Sequence, residues 1–164
     1  MRYDIVISGA VGVSGTIAFA REAMPQLYER YSRTYIDRAM DAAKQMLMPP
    51  ALKDIRLYEI GAGGIYAALW EAAKEAGCGL RVKLYDIPVR QDIIEICNTL
   101  DKDPYTLESK GQYLIFTPDG LSTVDELKAA GYTDAALAGY TTDDKKRLII
   151  YGDVERFLTP PERG

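Results

Sequence analysis

Two stretches of this sequence place glycines between a β-type apolar run and a helical pattern, a layout suited to binding an anion. Glycine has no Cβ, so a ligand can approach bare backbone N–H groups, and the helix that follows carries about half a positive charge at its N-terminus. The glycines concerned are Gly9, Gly12 and Gly15 in the first stretch and Gly61, Gly63 and Gly64 in the second. We call these stretches the first corner (9–15) and the second corner (61–64). An anionic group is the ligand class that such corners suit.

A single carboxylate, Glu59, stands directly before the second corner. At the end of a strand such a group can bind a metal, accept a proton or cap an N–H, and one carboxylate does not decide among these roles. The sequence contains no histidine, which excludes Ser-His-Asp and Cys-His catalysis and removes the commonest ligand of catalytic zinc. We therefore assign no catalytic residue and predict no metal site. Any chemistry must use carboxylates, Lys, Arg, Tyr, Ser, Thr or backbone dipoles.

The alternative for both corners is that the glycines only turn the chain sharply and let a helix pack on a strand. The second corner lacks a dinucleotide-binding fingerprint, because Tyr66 stands where the third glycine would be. It is not a Walker phosphate loop either, since no Lys-Ser/Thr pair follows it. Two such corners in one domain favour a ligand cleft if both face the same edge of the sheet.

The overall composition is that of a globular protein, with 48% hydrophobic and 27% charged residues. The net charge of -4 argues against a nucleic-acid or anionic-membrane surface, because both need clustered Lys and Arg. No apolar run approaches the roughly 20 residues that span a bilayer, and the N-terminus lacks the layout of a signal peptide, so we predict a cytoplasmic protein. Cys78 and Cys97 are predicted to be buried, reduced thiols.

The spacing of the apolar residues predicts alternating strands and helices. Strands are expected at residues 2–8, 55–60, 80–84, 113–116, 135–140, 147–151 and 154–157. Helices are expected from 16 with a break at Pro25, from 32 to Pro49, at 63–76 with Gly77 as the C-terminal cap, from Pro88, and from 122 to 131. This order predicts a mixed β-sheet covered by helices, of the α+β or α/β class. We expect a single domain over 4–157 and a flexible tail over 158–164.

Three stretches in a fixed order are more specific than either glycine corner alone. The first runs from Asp4 to Gly9 and continues through Gly12 and Gly15. The second runs from Glu59 through Gly63 and Gly64 to Glu71. The third begins with Gly77 to Leu80 and is followed by Ile87 to Arg90, by Cys97 and by Asp103 to Tyr105. This order resembles the C-terminal half of the aminoimidazole ribonucleotide (AIR) synthetase superfamily. Within it, the sequence is most similar to hydrogenase maturation factors of the carbamoyl dehydratase kind and their synthetase-related relatives. The resemblance covers roughly residues 4 to 157.

The resemblance implies an α/β/α sandwich, partly ferredoxin-like in topology, that closes the active-site cleft of a protein with two halves. The N-terminal half, which in that family supplies most ATP and metal ligands and forms the dimer, has no counterpart in this sequence. The resemblance therefore implies a domain of an ATP-dependent enzyme that is inactive alone and binds no cofactor by itself, but holds ATP and Mg²⁺ with a partner N-terminal half. A small phosphorylated ligand is the implied substrate class, and a homo-oligomer is the other implied partner. Neither nucleic acid nor a membrane is expected.

The sequence departs from the family's motif at the second corner. The family's His, Asp and Thr fall on Tyr58, Glu59 and Gly61, so a carboxylate is kept and a hydroxyl is lost. The last residues, 160–164, lack the cysteine that carries the carbamoyl and cyanide groups in the maturation factors, so we do not expect cyanide-ligand synthesis. The ligand-binding candidates are Gly9, Gly12, Gly15, Glu59, Gly61, Gly63 and Gly64.

The alternative is a non-catalytic module that derives from the same family. A corner that has lost His and Thr can still bind a small molecule, or the domain can serve as a dimerisation module. The sequence holds 12 tyrosines, a high count, and Tyr tolerates half-burial at interfaces. The helix face that carries Tyr66 and Trp70 is the candidate dimer surface.

Overall fold

Strands and helices alternate along the chain in the order that the apolar spacing predicts. The computed structural model describes residues 2–42, 52 and 55–161. The strands are β1 (Asp4–Ile7), β2 (Arg56–Glu59), β3 (Gly79–Lys83), β4 (Tyr113–Thr117), β5 (Ala136–Thr142), β6 (Arg147–Tyr151) and β7 (Val154–Phe157). The helices are α1 (Val13–Glu22), α2 (Met24–Arg30), α3 (Arg33–Ala42), α4 (Gly64–Ala76), α5 (Gln91–Leu100) and α6 (Gly120–Ala129).

The seven strands of the described residues form one mixed sheet in the order β2-β4-β1-β5-β3-β6-β7. The pair β3 and β6 is parallel, and the other neighbouring pairs are antiparallel. Both β1 and β2 run antiparallel to β4, which lies between them. They therefore run in the same direction and end at the same edge of the sheet, which is where the two glycine corners begin.

Helices cover both faces of the sheet, as expected for the predicted α+β class. Along β1 the side chains alternate between the faces. Ile5 and Ile7 pack in a cluster with the buried side of α4, whereas Val6 packs in a cluster with α6. A third cluster joins α1, α2, α3 and α5 to one another. Its fully buried members include Ile17, Leu27, Ile36, Ile93 and Ile96.

Two predicted helix boundaries are confirmed by local geometry. α1 ends at Glu22 and α2 begins at Met24, with Pro25 in its first turn, where a missing N–H leaves no hydrogen bond unmade. α4 ends at Ala76, and Gly77 follows with φ of 68° in the left-handed region. Glycine adopts that conformation without a steric penalty, which explains why the helix stops there.

The prediction that a helix begins at Pro88 is wrong. The backbone is extended at Ile87 and at Arg90, and α5 begins only at Gln91. The backbone N–H of Val11 donates to the Pro88 carbonyl at 2.9 Å, so this segment is used as a wall for the first corner. A tertiary hydrogen bond thus overrides the local preference of proline for a first helical turn.

Two further boundaries differ from expectation. α6 begins at Gly120 rather than at Ser122, because the Asp119 carboxylate caps it by accepting from the Ser122 N–H at 3.2 Å. Leu158, expected at the start of a flexible tail, is 8% exposed and packs in the α4-facing cluster. The later part of the third predicted helix, up to Pro49, lies outside the described residues. Within the described part of the chain, no helix is long and apolar enough to cross a membrane.

Candidate functional site

The first corner is closed by a segment from a distant part of the chain, residues 104–110, which we call the bridging segment. Gly12 has φ of 74°, and a Cβ added to it would overlap sterically with the Pro104 carbonyl oxygen. A Cβ on Gly15 would lie 2.6 Å from the backbone nitrogen of Glu108. These two glycines are therefore needed for close backbone packing, and neither presents a free backbone surface to a ligand.

Hydrogen bonds fix the bridging segment against the first corner. The Gly12 N–H donates to the Ser109 hydroxyl at 2.6 Å in a buried position, and the Gly15 N–H donates to the Glu108 carbonyl at 2.9 Å. The Ser14 hydroxyl donates to the same carbonyl and accepts from the Lys110 N–H, each at 2.9 Å. Backbone donors of this corner are thus already used by the protein itself.

The second corner lies on the other side of the bridging segment. Gly64 has φ of 75°, and its added Cβ would lie 2.5 Å from the Tyr105 carbonyl oxygen. The Tyr105 ring stacks on Tyr66 at 5.5 Å between centroids, which strengthens this contact. An added Cβ on Gly63 would lie 2.5 Å from the Ala67 Cβ, whereas one on Gly61 meets no described atom within 4 Å. Gly61 is the open position of this corner.

The structure therefore brings both corners to one edge of the sheet, on two sides of the same segment. It places Glu59, Gly61, Gly63 and Gly64 together around one cavity and Gly9 at another. Gly12 and Gly15 face the bridging segment instead. Whether these seven positions bind a ligand stays a prediction.

The cavity at the second corner has a volume of about 490 Å³, which lies within the range of small-molecule sites. It is lined by Leu57, Tyr58, Glu59, Gly61, Gly63, Gly64, Ala67, Ala68, Glu71 and Pro161. In the described chain these lining residues include two carboxylates and neither Lys nor Arg. A bare anion would be repelled by Glu59 and Glu71, whereas a phosphate that carries a divalent cation would be accepted.

Tyr58, at the family's His position, belongs largely to the core. Its ring meets Phe116 edge-on, with centroids 5.4 Å apart. Burial raises the pKa of the Tyr58 hydroxyl, while the nearby Arg56 guanidinium acts in the opposite direction. Among the described residues this buried hydroxyl has no hydrogen-bond partner. The side chain is thus held by packing and keeps its proton at neutral pH.

The cavity at the first corner is smaller, about 70 Å³, and mostly polar. Its lining residues are Ser8, Gly9, Ala10, Val13, Ser14, Arg90, Ser109, Lys110, Gln112, Gly131, Tyr132, Thr133 and Asp134. Arg90 makes a two-pronged ion pair with Asp92 at 3.0 and 2.9 Å, which raises the pKa of the guanidinium. Ser109, Lys110 and Gln112 were missed by the sequence reasoning, because nothing local marks a loop that reaches the corner from about 100 residues away.

Two arginines from the sheet, Arg147 and Arg156, already cover the aromatic rings of Tyr66 and Trp70 on α4. The Arg147 guanidinium lies 4.3 Å from the Trp70 ring centroid. The Arg156 guanidinium lies 5.6 Å from the Tyr66 centroid and donates to the Tyr66 hydroxyl at 3.3 Å. These contacts stabilise the face within one chain. The candidate dimer surface is therefore partly filled.

The two cysteines are free, as predicted, but they differ in burial. Cys97 is 1% exposed, with its Sγ 3.1 Å from the Thr16 hydroxyl, and burial raises the pKa of its thiol. Cys78 is only half-buried, so the prediction of two buried thiols is wrong for this residue. Among the described residues there is no group of three His, Cys, Asp or Glu side chains that could hold a metal ion.

Comparison with known proteins adds a family match that covers the second corner. Residues 55–151 match the family described as "AIR synthase related protein, C-terminal domain". The carbamoyl dehydratase HypE of Rhodobacter capsulatus is 37% identical over 57 residues, which are 35% of this chain and 17% of that protein. The first corner lies outside the matched range.

Solved structures extend the likeness to nearly the whole chain. A hydrogenase maturation protein HypE in complex with ATP superposes with a TM-score of 0.76 at 18% identity, over 98% of this chain and 51% of that one. The thiamine monophosphate kinase AaThiL, complexed with AMPPCP and TMP, superposes with a TM-score of 0.55 at 15% identity, over 96% and 52%. The chain thus spans about half the length of these solved structures, and the likeness shows the fold.

Proposed function

Because this chain belongs to the AIR synthase-related family through its C-terminal domain, we propose that it is the cleft-closing half of an ATP-dependent, hydrogenase-maturation-like or synthetase-like protein. It binds a phosphorylated or nucleotide ligand together with an N-terminal half, carried on a separate polypeptide or elsewhere in the same protein. Three findings support this proposal: the family match, the coverage of about half of each solved structure, and the complexes of two of those proteins with ATP or AMPPCP.

The observation that carries the proposal is the open cavity at the second corner. Its volume of about 490 Å³ suits a small-molecule ligand. Glu59 and the unobstructed Gly61 both line it, at the sheet edge where the two corners meet. A partner half placed over this edge would cover the cavity and exclude water from the ligand.

The charges around this cavity suit a ligand that arrives with a divalent cation. Mg²⁺ is usually held by one or two carboxylates together with phosphate oxygens and water. Glu59 and Glu71 supply two carboxylates, too few for a cation site of their own. The two carboxylates fit Mg²⁺ only if the phosphates and the partner half supply the remaining ligands. This requirement agrees with the proposal that the domain is inactive without its partner half.

The lack of histidine does not oppose this function. Phosphoryl transfer depends mainly on positioning the reactants and neutralising charge. This chain would contribute to both by holding the ligand at the second corner and by presenting Glu59 there. Bound Mg²⁺ would supply the charge neutralisation.

A second candidate, a binding module without catalysis, is favoured by one observation. Tyr58 packs against Phe116, and Gly61 has no side chain, so Glu59 is the one residue at the three family motif positions that brings a carboxyl group to the cavity lining. Binding without turnover in the reconstituted pair would favour this candidate. Light scattering at several concentrations tests the homo-oligomer alternative, which a strict monomer excludes.

Reconstitution with an N-terminal half tests the proposed function. The purified chain is mixed with an AIR synthase-related N-terminal half from the same organism, and calorimetry measures MgATP binding while ADP release measures turnover. We expect the pair to bind MgATP and each half alone to show no turnover. Glu59→Gln should weaken MgATP binding by about tenfold, which corresponds to roughly 1.4 kcal/mol for a lost charged contact.

The matched control is Glu126→Gln, an equal charge change on the exposed side of α6. It should leave MgATP affinity within about twofold of the unmodified pair, since distant surface charges are screened by salt. A pair that associates but neither binds MgATP nor releases ADP would refute the proposed function.

A further inference from the structure

The cavity beside the first corner is separate from the one at Glu59. The two share no lining residue within the described chain. A water molecule takes up about 30 Å³ in the liquid, so a cavity of about 70 Å³ holds a few waters or one small oxyanion. Its walls come from the ends of four segments: the first corner, the loop after Pro88, the bridging segment and the loop between α6 and β5.

Three side chains on these walls keep hydrogen-bond donors that are not used elsewhere in the described chain. The Gln112 Oε1 accepts a hydrogen bond from the Ser8 hydroxyl at 2.7 Å. The amide NH₂ of Gln112 therefore remains available as a donor. Arg90 uses Nε and Nη2 on Asp92, which leaves Nη1. In the described part of the chain, neither the Lys110 ammonium nor the Gln112 Nε2 has a protein acceptor.

The charges single out one residue. The Arg90 guanidinium is already balanced by Asp92, 2.9 Å away. Asp134, the other carboxylate on the lining, also acts on this guanidinium and helps to raise its pKa. Lys110 is the lining cation that makes no ion pair with a carboxylate of the described chain. Lys110 therefore decides whether the cavity attracts an anion.

Gly9 keeps this cavity in shape. A Cβ added to Gly9 would lie 2.6 and 2.9 Å from the two polar atoms of the Gln112 amide. An alanine there would push the amide out of its position against Ser8. The glycine at this corner thus preserves a polar side-chain arrangement, unlike Gly12 and Gly15, which pack against backbone.

We propose that this cavity binds one small oxyanion of the phosphate class, either free phosphate or the terminal phosphate of a larger ligand, through Lys110, Gln112 and Arg90. This inference deepens the proposed function and rests on its assignment of this sheet edge to ligand binding. It adds a second subsite that works through direct cationic and amide donors, without the metal that the acidic cavity requires.

Calorimetric titration of the full chain with inorganic phosphate, in chloride buffer, tests the inference. We expect saturable binding, weakened by about tenfold or more in Lys110→Gln and largely restored in Lys110→Arg, because the charge-assisted contact is lost and regained. Lys74→Gln removes an equal charge from an exposed position of α4, a helix that contributes no residue to this lining, and should change the affinity by less than about twofold. Urea unfolding of each variant verifies that the fold is kept.

Two results would overturn the inference: no saturable phosphate binding up to about 10 mM, the range of weak and non-specific contacts, or equal losses in Lys110→Gln and Lys74→Gln. A competition arm distinguishes the two ligand sources. If phosphate displaces MgATP from the reconstituted pair, the site takes a terminal phosphate; if both bind together, it takes free phosphate. The proposed function can fail independently, since the isolated chain would still bind phosphate when the pair binds no MgATP.

Discussion

The two glycine corners have the same layout in sequence but different surroundings in the structure. At the first corner, Gly12 and Gly15 lie against the backbone of the bridging segment. At the second corner Gly64 does the same, while Gly61 faces open space beside a cavity of about 490 Å³. The difference teaches that a glycine-rich turn does not by itself report a ligand site. What decides is the segment that the rest of the fold brings against it.

The bridging segment connects the two corners physically. Its Ser109 hydroxyl and Glu108 carbonyl accept from the first corner, and its Tyr105 backbone touches Gly64 of the second. A displacement at one corner therefore has a direct route to the other. The predictions that follow use this arrangement, from the largest expected effect to the smallest.

Adding a methyl group should separate the two corners most clearly. Gly12→Ala places a Cβ on the Pro104 carbonyl oxygen and forces a non-glycine residue to φ of 74°, so we expect a loss of about 3 kcal/mol or more in the free energy of unfolding. Gly61→Ala meets no described atom within 4 Å and should change it by less than about 0.5 kcal/mol. Urea denaturation measures both. Equal destabilisation would show that the corners do not differ as described.

Removing the buried hydroxyl that holds the first corner should have the next largest effect. Ser109→Ala leaves the Gly12 N–H without its 2.6 Å acceptor in a buried position, which should cost about 1 to 3 kcal/mol of unfolding free energy. Ser14→Ala removes hydrogen bonds at an exposed position, where water can replace the hydroxyl, and should cost less, about 0.5 to 1 kcal/mol. The reverse order in urea denaturation would contradict a closed first corner.

Much of the secondary structure could be predicted from local sequence. The β-branched runs gave the strands, Pro25 gave the break between α1 and α2, and Gly77 gave the end of α4. Each of these depends on residues a few positions apart, where steric preference acts directly. The error at Pro88 has the opposite origin, because its carbonyl is bound by Val11, 77 positions earlier in the sequence, and that contact keeps the segment extended.

The sites were less predictable for the same reason. The sequence leaves open whether both corners face the same edge of the sheet. They do so because β1 and β2 run in the same direction on either side of β4, a strand that is far away in sequence. Neither the bridging segment nor Lys110 could be assigned to the first corner from spacing. Sequence located the glycines, whereas only the tertiary arrangement shows that Gly61 is open and Gly12 is closed.

The stacked rings at the second corner should contribute a smaller amount. Tyr105→Leu keeps apolar bulk but removes the stack on Tyr66, so we expect a loss of about 1 kcal/mol in unfolding free energy. Tyr85→Leu is the matched control, because this tyrosine is 80% exposed and should change stability by less than about 0.5 kcal/mol. A loss in the control equal to that in Tyr105→Leu would argue against the stack as a support of the second corner.

Thiol reactivity gives the smallest effect, on rate rather than stability. Burial raises the pKa of both thiols, so accessibility distinguishes them: iodoacetamide should label Cys97, which is 1% exposed, more slowly than the half-buried Cys78. Because Cys97 contacts Thr16 in α1, just after the first corner, Ser109→Ala should speed the labelling of Cys97 and leave Cys78 unchanged. Mass spectrometry of the labelled peptides measures both rates. Equal labelling of both cysteines would contradict the packing of α1 against α5.

The central claim is that the open corner at Gly61 binds the phosphorylated ligand, and a charge placed there tests it most directly. Calorimetry of MgATP with the reconstituted pair should show an affinity about tenfold or more weaker for Gly61→Asp, because this carboxylate would fill the open space where the phosphate approaches the backbone and would repel the phosphate directly. For Gly61→Ala the affinity should stay within about threefold of the unmodified pair. Equal MgATP affinity in the unmodified, Ala and Asp forms would contradict the account and leave the second corner as a turn.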